Sequence, residues 1–130
     1  DVYKFCRHRQ DFTYIDDIVK GITRVLDRPA RPNLEWRGDT PNPASSTAPY
    51  RLYNIGNHQP VELLYLVELL EKALRRKARM NLLPMQPGDV EDTVADVAAL
   101  EREVGFAPST PIEEGVARFV AWYRDYHGVR

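Results

Sequence analysis

One cysteine, Cys6, stands among 130 residues, so no internal disulfide can form, and the chain suits a reducing compartment; a cytoplasmic setting is expected. Long apolar runs are also missing. The richest stretch, Leu63 to Leu70, is interrupted by Glu68 and falls short of the ~20 residues needed to span a bilayer. Neither sign of charge dominates. With 18 basic and 19 acidic residues the net charge is −1, which gives no global electrostatic footprint for nucleic acid or an anionic membrane. The first residues are polar and charged without an apolar centre, so no signal peptide is expected.

Several chemistries lack their local signatures. The seven glycines are scattered, and no Gly-x-Gly-x-x-Gly cluster lets a backbone approach a dinucleotide pyrophosphate. No tyrosine is followed four residues later by lysine, so the acid–base pair of short-chain dehydrogenases is missing, and no P-loop occurs. His8, His58 and His127 are far apart, with no cysteine or carboxylate at metal-ligand spacing, so no metal site is expected. Nothing near Cys6 in sequence would lower its pKa and make it a nucleophile.

What remains is an ordinary globular composition, 43% hydrophobic and 28% charged, enough for one module spanning residues 1–130. Phe12 to Ile15 carries β-type residues in rough alternation and predicts a short strand. Asp16 or Asp17 then caps a helix whose apolar residues Ile18, Val19, Ile22, Val25 and Leu26 recur at helical spacing, and Pro29 ends it. Residues 29–49 hold five prolines and predict a long structureless loop, an excursion within one module. Tyr50 to Gly56 alternates as a strand, and Pro60 fits the first position of a helix running to about Lys77. Its apolar stripe is Leu63, Leu66, Val67, Leu70, Ala73 and Leu74, and the basic cluster Arg75-Arg76-Lys77-Arg79 suits its C-terminal end.

Arg79 to Leu83 predicts a brief strand, and Pro84 to Asp89 a turn. Asp96 caps a short helix ending at Gly105. The last helix opens on Thr110-Pro111-Ile112-Glu113, a capping box with proline at its first position. Ile112, Val116, Phe119, Val120 and Tyr123 form its inner face, and Trp122, Tyr123 and Tyr126 read as packing and terminal anchoring. The sum is four helices and about three short strands, too few to make much of a sheet alone.

Two constellations carry chemistry. The first is Arg7, His8, Arg9 and Gln10. Planar guanidinium forks pair bidentately with phosphate oxygens and suit a diphosphate, and the alternative is a solvated basic segment. The second is Gln86-Pro87-Gly88-Asp89, a tight turn whose amide and carboxylate could hold the hydroxyls of a sugar; the alternative is an Asp capping local backbone groups.

Five stretches together resemble the C-terminal third of the UDP-glucuronate 4-epimerases, in the NAD-dependent epimerase/dehydratase family of extended short-chain dehydrogenases. They are Asp11-Phe12-Thr13-Tyr14-Ile15-Asp16-Asp17-Ile18-Val19; Ala48-Pro49-Tyr50-Arg51-Leu52-Tyr53-Asn54-Ile55-Gly56-Asn57; Pro60-Val61-Glu62-Leu63; Leu83-Pro84-Met85-Gln86-Pro87-Gly88-Asp89-Val90; and Thr110-Pro111-Ile112-Glu113-Glu114-Gly115-Val116. The resemblance runs from Asp11 to Gly128. It implies an α/β parent, of which this chain is a helix-rich α+β fragment: the substrate domain, without the Rossmann nucleotide-binding half. It also implies a substrate-binding role for Asp89 on the uridine ribose and for Gln86 beside the diphosphate. The family carries arginine before Asp-Phe as a phosphate ligand. Here Gln10 stands there, and Arg9 would point to the other face of a continued strand.

The resemblance further implies NAD as cofactor, bound by an N-terminal domain and not by this segment. It implies a UDP-sugar as substrate, and that Rossmann domain as partner. Alone the segment should be inactive, with Arg9, Gln10, Gln86 and Asp89 as its substrate-binding residues and no catalytic ones. Strand edges left without neighbours would favour homo-oligomers. The alternative is a free-standing, non-catalytic interaction module derived from an epimerase.

Overall fold

The computed structural model describes residues 9–84, 87, 88, 90 and 92–129. Among them, four helices and one two-stranded antiparallel sheet follow in the order β1 (Arg9–Gln10), α1 (Ile15–Leu26), β2 (Val61–Glu62), α2 (Leu63–Leu74), α3 (Ala98–Val104) and α4 (Ile112–His127). Arg9 pairs with Glu62 and Gln10 with Val61. On its other side β1 meets the stretch that opens at Asp92: Arg9 forms a parallel bridge with Asp92, and Thr93 N–H donates to the Arg9 carbonyl at 3.0 Å.

The buried core is small and centres on α3. Leu100, Val104 and Phe106 are closed off, with Val25, Tyr53 and Ile55 packed against them. Gly21 lets α1 approach this cluster, because a Cβ there would collide with the Ile55 side chain. Lys20 and Arg24 each lie 5.4 Å from the Phe106 ring centre, where a cation is drawn to the face of the π-system. The C-terminal carbonyls of α3 are satisfied from α1: Arg24 donates to the Gly105 carbonyl at 2.7 Å and Arg28 to that of Glu103. Gly105 closes the helix at φ 68°, in the left-handed region that favours glycine. Helices α2 and α4 pack on each other, and Val116 and Val120 are the buried residues of α4.

Several sequence expectations shift. Phe12 to Tyr14 is extended but joins no ladder, and α1 begins at Ile15 after Tyr14, whose carbonyl accepts from Asp17 N–H at 3.1 Å. Asp16 and Asp17 therefore lie in the first turn and do not cap it. Arg51 makes only an isolated bridge with Ser45, so Tyr50 to Gly56 is no strand, and Arg79 to Leu83 belongs to neither strand of the sheet. Pro60 precedes β2 and does not open α2, which stops at Leu74 instead of Lys77. Pro111 is the N-cap residue of α4 and no side chain caps that end, so the capping box does not form. Glu113 instead accepts from the Tyr65 hydroxyl on α2. The helix ending at Gly105 is there as expected, but its N-cap residue is Val97 and not Asp96, whose Oδ1 accepts from Ala98 N–H at 3.0 Å.

The loop over 29–49 is less formless than its prolines suggest. Asn33 N–H donates to the Ser46 carbonyl at 2.8 Å, and Asn33 and Asn42 each turn their own backbone through a side-chain oxygen. Trp36 Nε1 donates to the Asn42 carbonyl at 3.1 Å.

Apolar surface is left uncovered in two places. On α1 the inward face carries Asp17, Gly21 and Val25, while Ile15, Val19, Ile22 and Leu26 turn outward at 60, 51, 52 and 74% exposure. The apolar side of this helix thus faces away from the cluster around α3. On α4, Phe119, Trp122, Tyr123 and Tyr126 are exposed and stack on one another, with Trp122 and Tyr126 ring centres 5.4 Å apart. They do not enter the core as expected.

Candidate functional site

Two of the sequence-derived site residues lie on β1. Arg9 and Gln10 occupy it, exposed, with side chains on opposite faces as strand geometry requires. On the side away from β2, Arg9 is bridged to Asp92, three positions beyond the last residue of the second constellation in sequence. Pro87 and Gly88 form a turn, with Gly88 at φ 92°. Gln86 and Asp89 lie outside the described residues, as do Arg7, His8 and Cys6. The Arg9 guanidinium also has a place in the chain itself, donating through Nη2 to the Pro60 carbonyl at 3.2 Å.

Asp11, next to β1, is a junction that periodicity did not single out. Its carboxylate accepts backbone N–H groups from His58 and Gln59 on one side and Ala95 on the other. Gly56 makes room for it: a Cβ at Gly56 would stand 2.7 Å from Asp11 Oδ2. An open, mostly polar cleft of ≈ 460 Å³ lies over this junction, between Asp11, Tyr53 to Gly56 and Thr93 to Ala95. The sequence holds no cue to these contacts, since the partners are 47 to 84 residues away.

A second cleft, of ≈ 370 Å³, opens on the far side of Phe12 to Ile15, between α2 and α4. Its walls are mostly apolar, with Leu66, Leu70, Ile112, Val116 and Phe119, and Thr13, Tyr14 and Thr110 are the polar residues among them. Beside it, Asn57 is buried with its amide donating to the Thr110 carbonyl at 3.3 Å and its Oδ1 without a partner among the described residues.

Four described carboxylates, Asp17, Glu71, Glu103 and Glu113, have lowered pKa values of structural origin. Burial pushes Asp17 up, but N–H donation from Thr110 and Ser109, with the charge of Lys20, holds it below the ordinary value. Glu103 is lowered first by its hydrogen bonds from Arg51, against burial, and then by the Tyr53 hydroxyl. Neither lines the β1 site. Among the described residues no group of three or more His, Cys, Asp or Glu is placed to hold a metal, and no helix is long and apolar enough to cross a membrane. The arrangement can bind and orient a polar ligand. Among its described residues no paired acid and base meet at a common point.

Comparison with known proteins places this geometry. No family model matches the chain. Protein CapI of Staphylococcus aureus is 50% identical over 127 residues, covering 98% of this chain and 38% of its own length. A probable UDP-glucuronate 4-epimerase of Rhizobium meliloti is also 50% identical over 127 residues, with 95 and 36% covered. The crystal structure of the Bacillus cereus UDP-glucuronic acid 4-epimerase, in complex with UDP-glucuronic acid and NAD, superposes with a TM-score of 0.72 at 21% identity. That match covers 96% of this chain and 35% of the other. The chain therefore resembles UDP-glucuronate 4-epimerases over nearly all of its own length, has the fold of a segment of such a protein, and spans little more than a third of these relatives.

Proposed function

We propose that this chain is the substrate-binding, C-terminal part of an NAD-dependent epimerase that interconverts UDP-glucuronate and UDP-galacturonate. The observation that carries the reading is the 50% identity, over almost the whole chain, to a probable UDP-glucuronate 4-epimerase. On this reading residues 1–130 act as one module. Asp89 accepts from the hydroxyls of the uridine ribose, because a carboxylate suits a vicinal diol. Gln86, Arg9 and Gln10 lie on the diphosphate side, where the bridge between Arg9 and Asp92 keeps the two stretches together.

NAD supplies the hydride acceptor and donor. The chain's own residues do not fit it, since they include no glycine-rich loop and no Tyr/Lys pair. The cofactor belongs to an N-terminal Rossmann domain, and the part of this chain that meets that domain is the outward stripe of Ile15, Val19, Ile22 and Leu26. Four apolar residues in line, each at least half exposed, suit a partner surface within the same polypeptide, and the relatives have nearly two thirds of their length to provide it. A cytoplasmic setting accords with the lone cysteine. Gln10, where the resemblance leads one to expect arginine, favours a second reading: a non-catalytic module that has kept the fold without the phosphate grip.

The deciding experiment is product analysis by the full-length protein carrying this chain, supplied with UDP-glucuronate. Conversion to UDP-galacturonate, with none by residues 1–130 alone, supports the epimerase reading. A full-length protein that binds NAD but neither binds nor converts the sugar nucleotide sinks it in favour of the module.

A further inference from the structure

Asp11 stands where three stretches of chain meet. Its Oδ2 accepts from His58 N–H at 3.0 Å and Ala95 N–H at 3.2 Å, and its Oδ1 from Gln59 N–H at 3.4 Å. Its own N–H donates to Thr93 Oγ1 at 3.2 Å. One residue thus ties the end of β1 to the turn ahead of β2 and to the stretch that follows Asp92. The ties hold unusual backbone in place. His58 sits at φ 55°, a left-handed conformation uncommon for a residue with a Cβ, and its Nδ1 is 2.9 Å from the Ala95 carbonyl. Strain of that kind persists only where surrounding contacts over-determine it, and it concentrates at binding and switching sites. Gly56 shows the same demand in another form, because any side chain there would strike Asp11 or Ala95. Asp17, by comparison, accepts from two adjacent residues of one segment and so joins only two stretches of chain.

We infer that Asp11 is a positioning residue for the nucleotide-sugar site, holding β1, with Arg9 and Gln10, in register against the chain from Asp92 to Ala95. The inference rests on the function proposed above and adds to it a residue that acts without touching the ligand. A carboxylate can accept from all three N–H groups at once. An amide in the same place turns one oxygen into an NH2 that faces N–H donors, so at least one tie opens. The two sides of the site then shift relative to each other while β1 and β2 stay paired.

The test uses the full-length protein with Asp11→Asn and Thr93→Val, each against wild type, with Asp17→Asn as a purely structural comparison. KM and kcat for UDP-glucuronate, the Kd of UDP and the thermal midpoint are measured for all four. Asp11→Asn is expected to raise KM and the UDP Kd by about tenfold with kcat changed far less, since small displacements of binding groups weaken productive binding steeply. Thr93→Val, a milder break of the same tie, should move both in the same direction and decides the matter if Asp11→Asn does not fold. Asp17→Asn should lower the thermal midpoint and leave KM alone. An active wild type whose variants lose thermal stability without any rise in KM or Kd overturns the inference. A wild type that neither binds UDP nor converts the sugar nucleotide fails earlier, and takes the functional reading with it.

Discussion

Arg51 and Glu103, 52 residues apart, form a two-pronged ion pair: Arg51 Nε donates to Oε2 at 2.8 Å and Nη2 to Oε1, while the Tyr53 hydroxyl adds a third donor at 3.0 Å. The pair joins the stretch after the proline-rich loop to α3, beside the small core. Both side chains are mostly shielded, at 19 and 30% exposure, so the pair is worth more than a surface contact. A double-mutant cycle with Arg51→Ala and Glu103→Ala should return a coupling of about 1–2 kcal/mol. Its pH dependence follows from the lowered pKa of Glu103. The contribution is complete above the unfolded value of 4.5 and is lost as pH falls through the depressed folded value. Urea titrations from pH 7 downward measure this, and a coupling that grows as pH falls below 4.5 would contradict it.

Asp17 joins the start of α1 to the approach to α4 by accepting Ser109 N–H at 3.1 Å and Thr110 N–H at 2.9 Å. Asp17→Ala leaves both donors without a partner in a part-buried place and should cost about 2–3 kcal/mol, because an orphaned N–H bears its full desolvation penalty. Hydrogen exchange would locate the loss at the N-terminal end of α4. An unchanged unfolding midpoint would mean that water replaces the carboxylate at no cost. Here too the folded pKa lies below its ordinary value of 3.8, so the stabilisation fades only as pH falls below that value.

The outward stripe of α1 makes the behaviour of the isolated chain testable. With Val19 and Ile22 about half exposed, residues 1–130 alone should self-associate as concentration rises. Val19→Lys with Ile22→Asp should return it to monomer with little change in stability, since neither side chain is buried within the chain. In the full-length protein the same pair should lower the thermal midpoint. Sedimentation across a concentration series separates the outcomes, and a wild-type chain that stays monomeric throughout would show the stripe to be harmless surface.

The parts legible in the sequence were those governed by neighbouring residues. Gly105 ends α3 because glycine accepts φ 68°, and the spacing of Ile112, Val116 and Val120 sets the course of α4. Beyond that local reach the sequence cues mislead. The alternation in Tyr50 to Gly56 described a surface fit to pair, but a ladder needs a neighbouring strand, and only a bridge to Ser45 exists among the described residues. Asp17 looked like a cap for the helix it begins and serves a segment 92 residues later. The apolar period of α1 was correctly seen, yet periodicity cannot say which face meets which core, and here the apolar one turns away from α3. For the site, the pairing of Arg9 with Asp92 and the junction at Asp11 depend on contacts that no local pattern encodes.

The bond from Asn33 N–H to the Ser46 carbonyl has a practical consequence. It pinches the proline-rich loop at its base, so the conformation of the flanking chain does not depend on what the tip contains. Lengthening such a loop costs only a logarithmic entropy increment. The exposed tip at Gly38 and Asp39 is therefore a natural splice point, where an epitope, a fluorophore-bearing peptide or a small reporter domain can be grafted without disturbing the helices on either side.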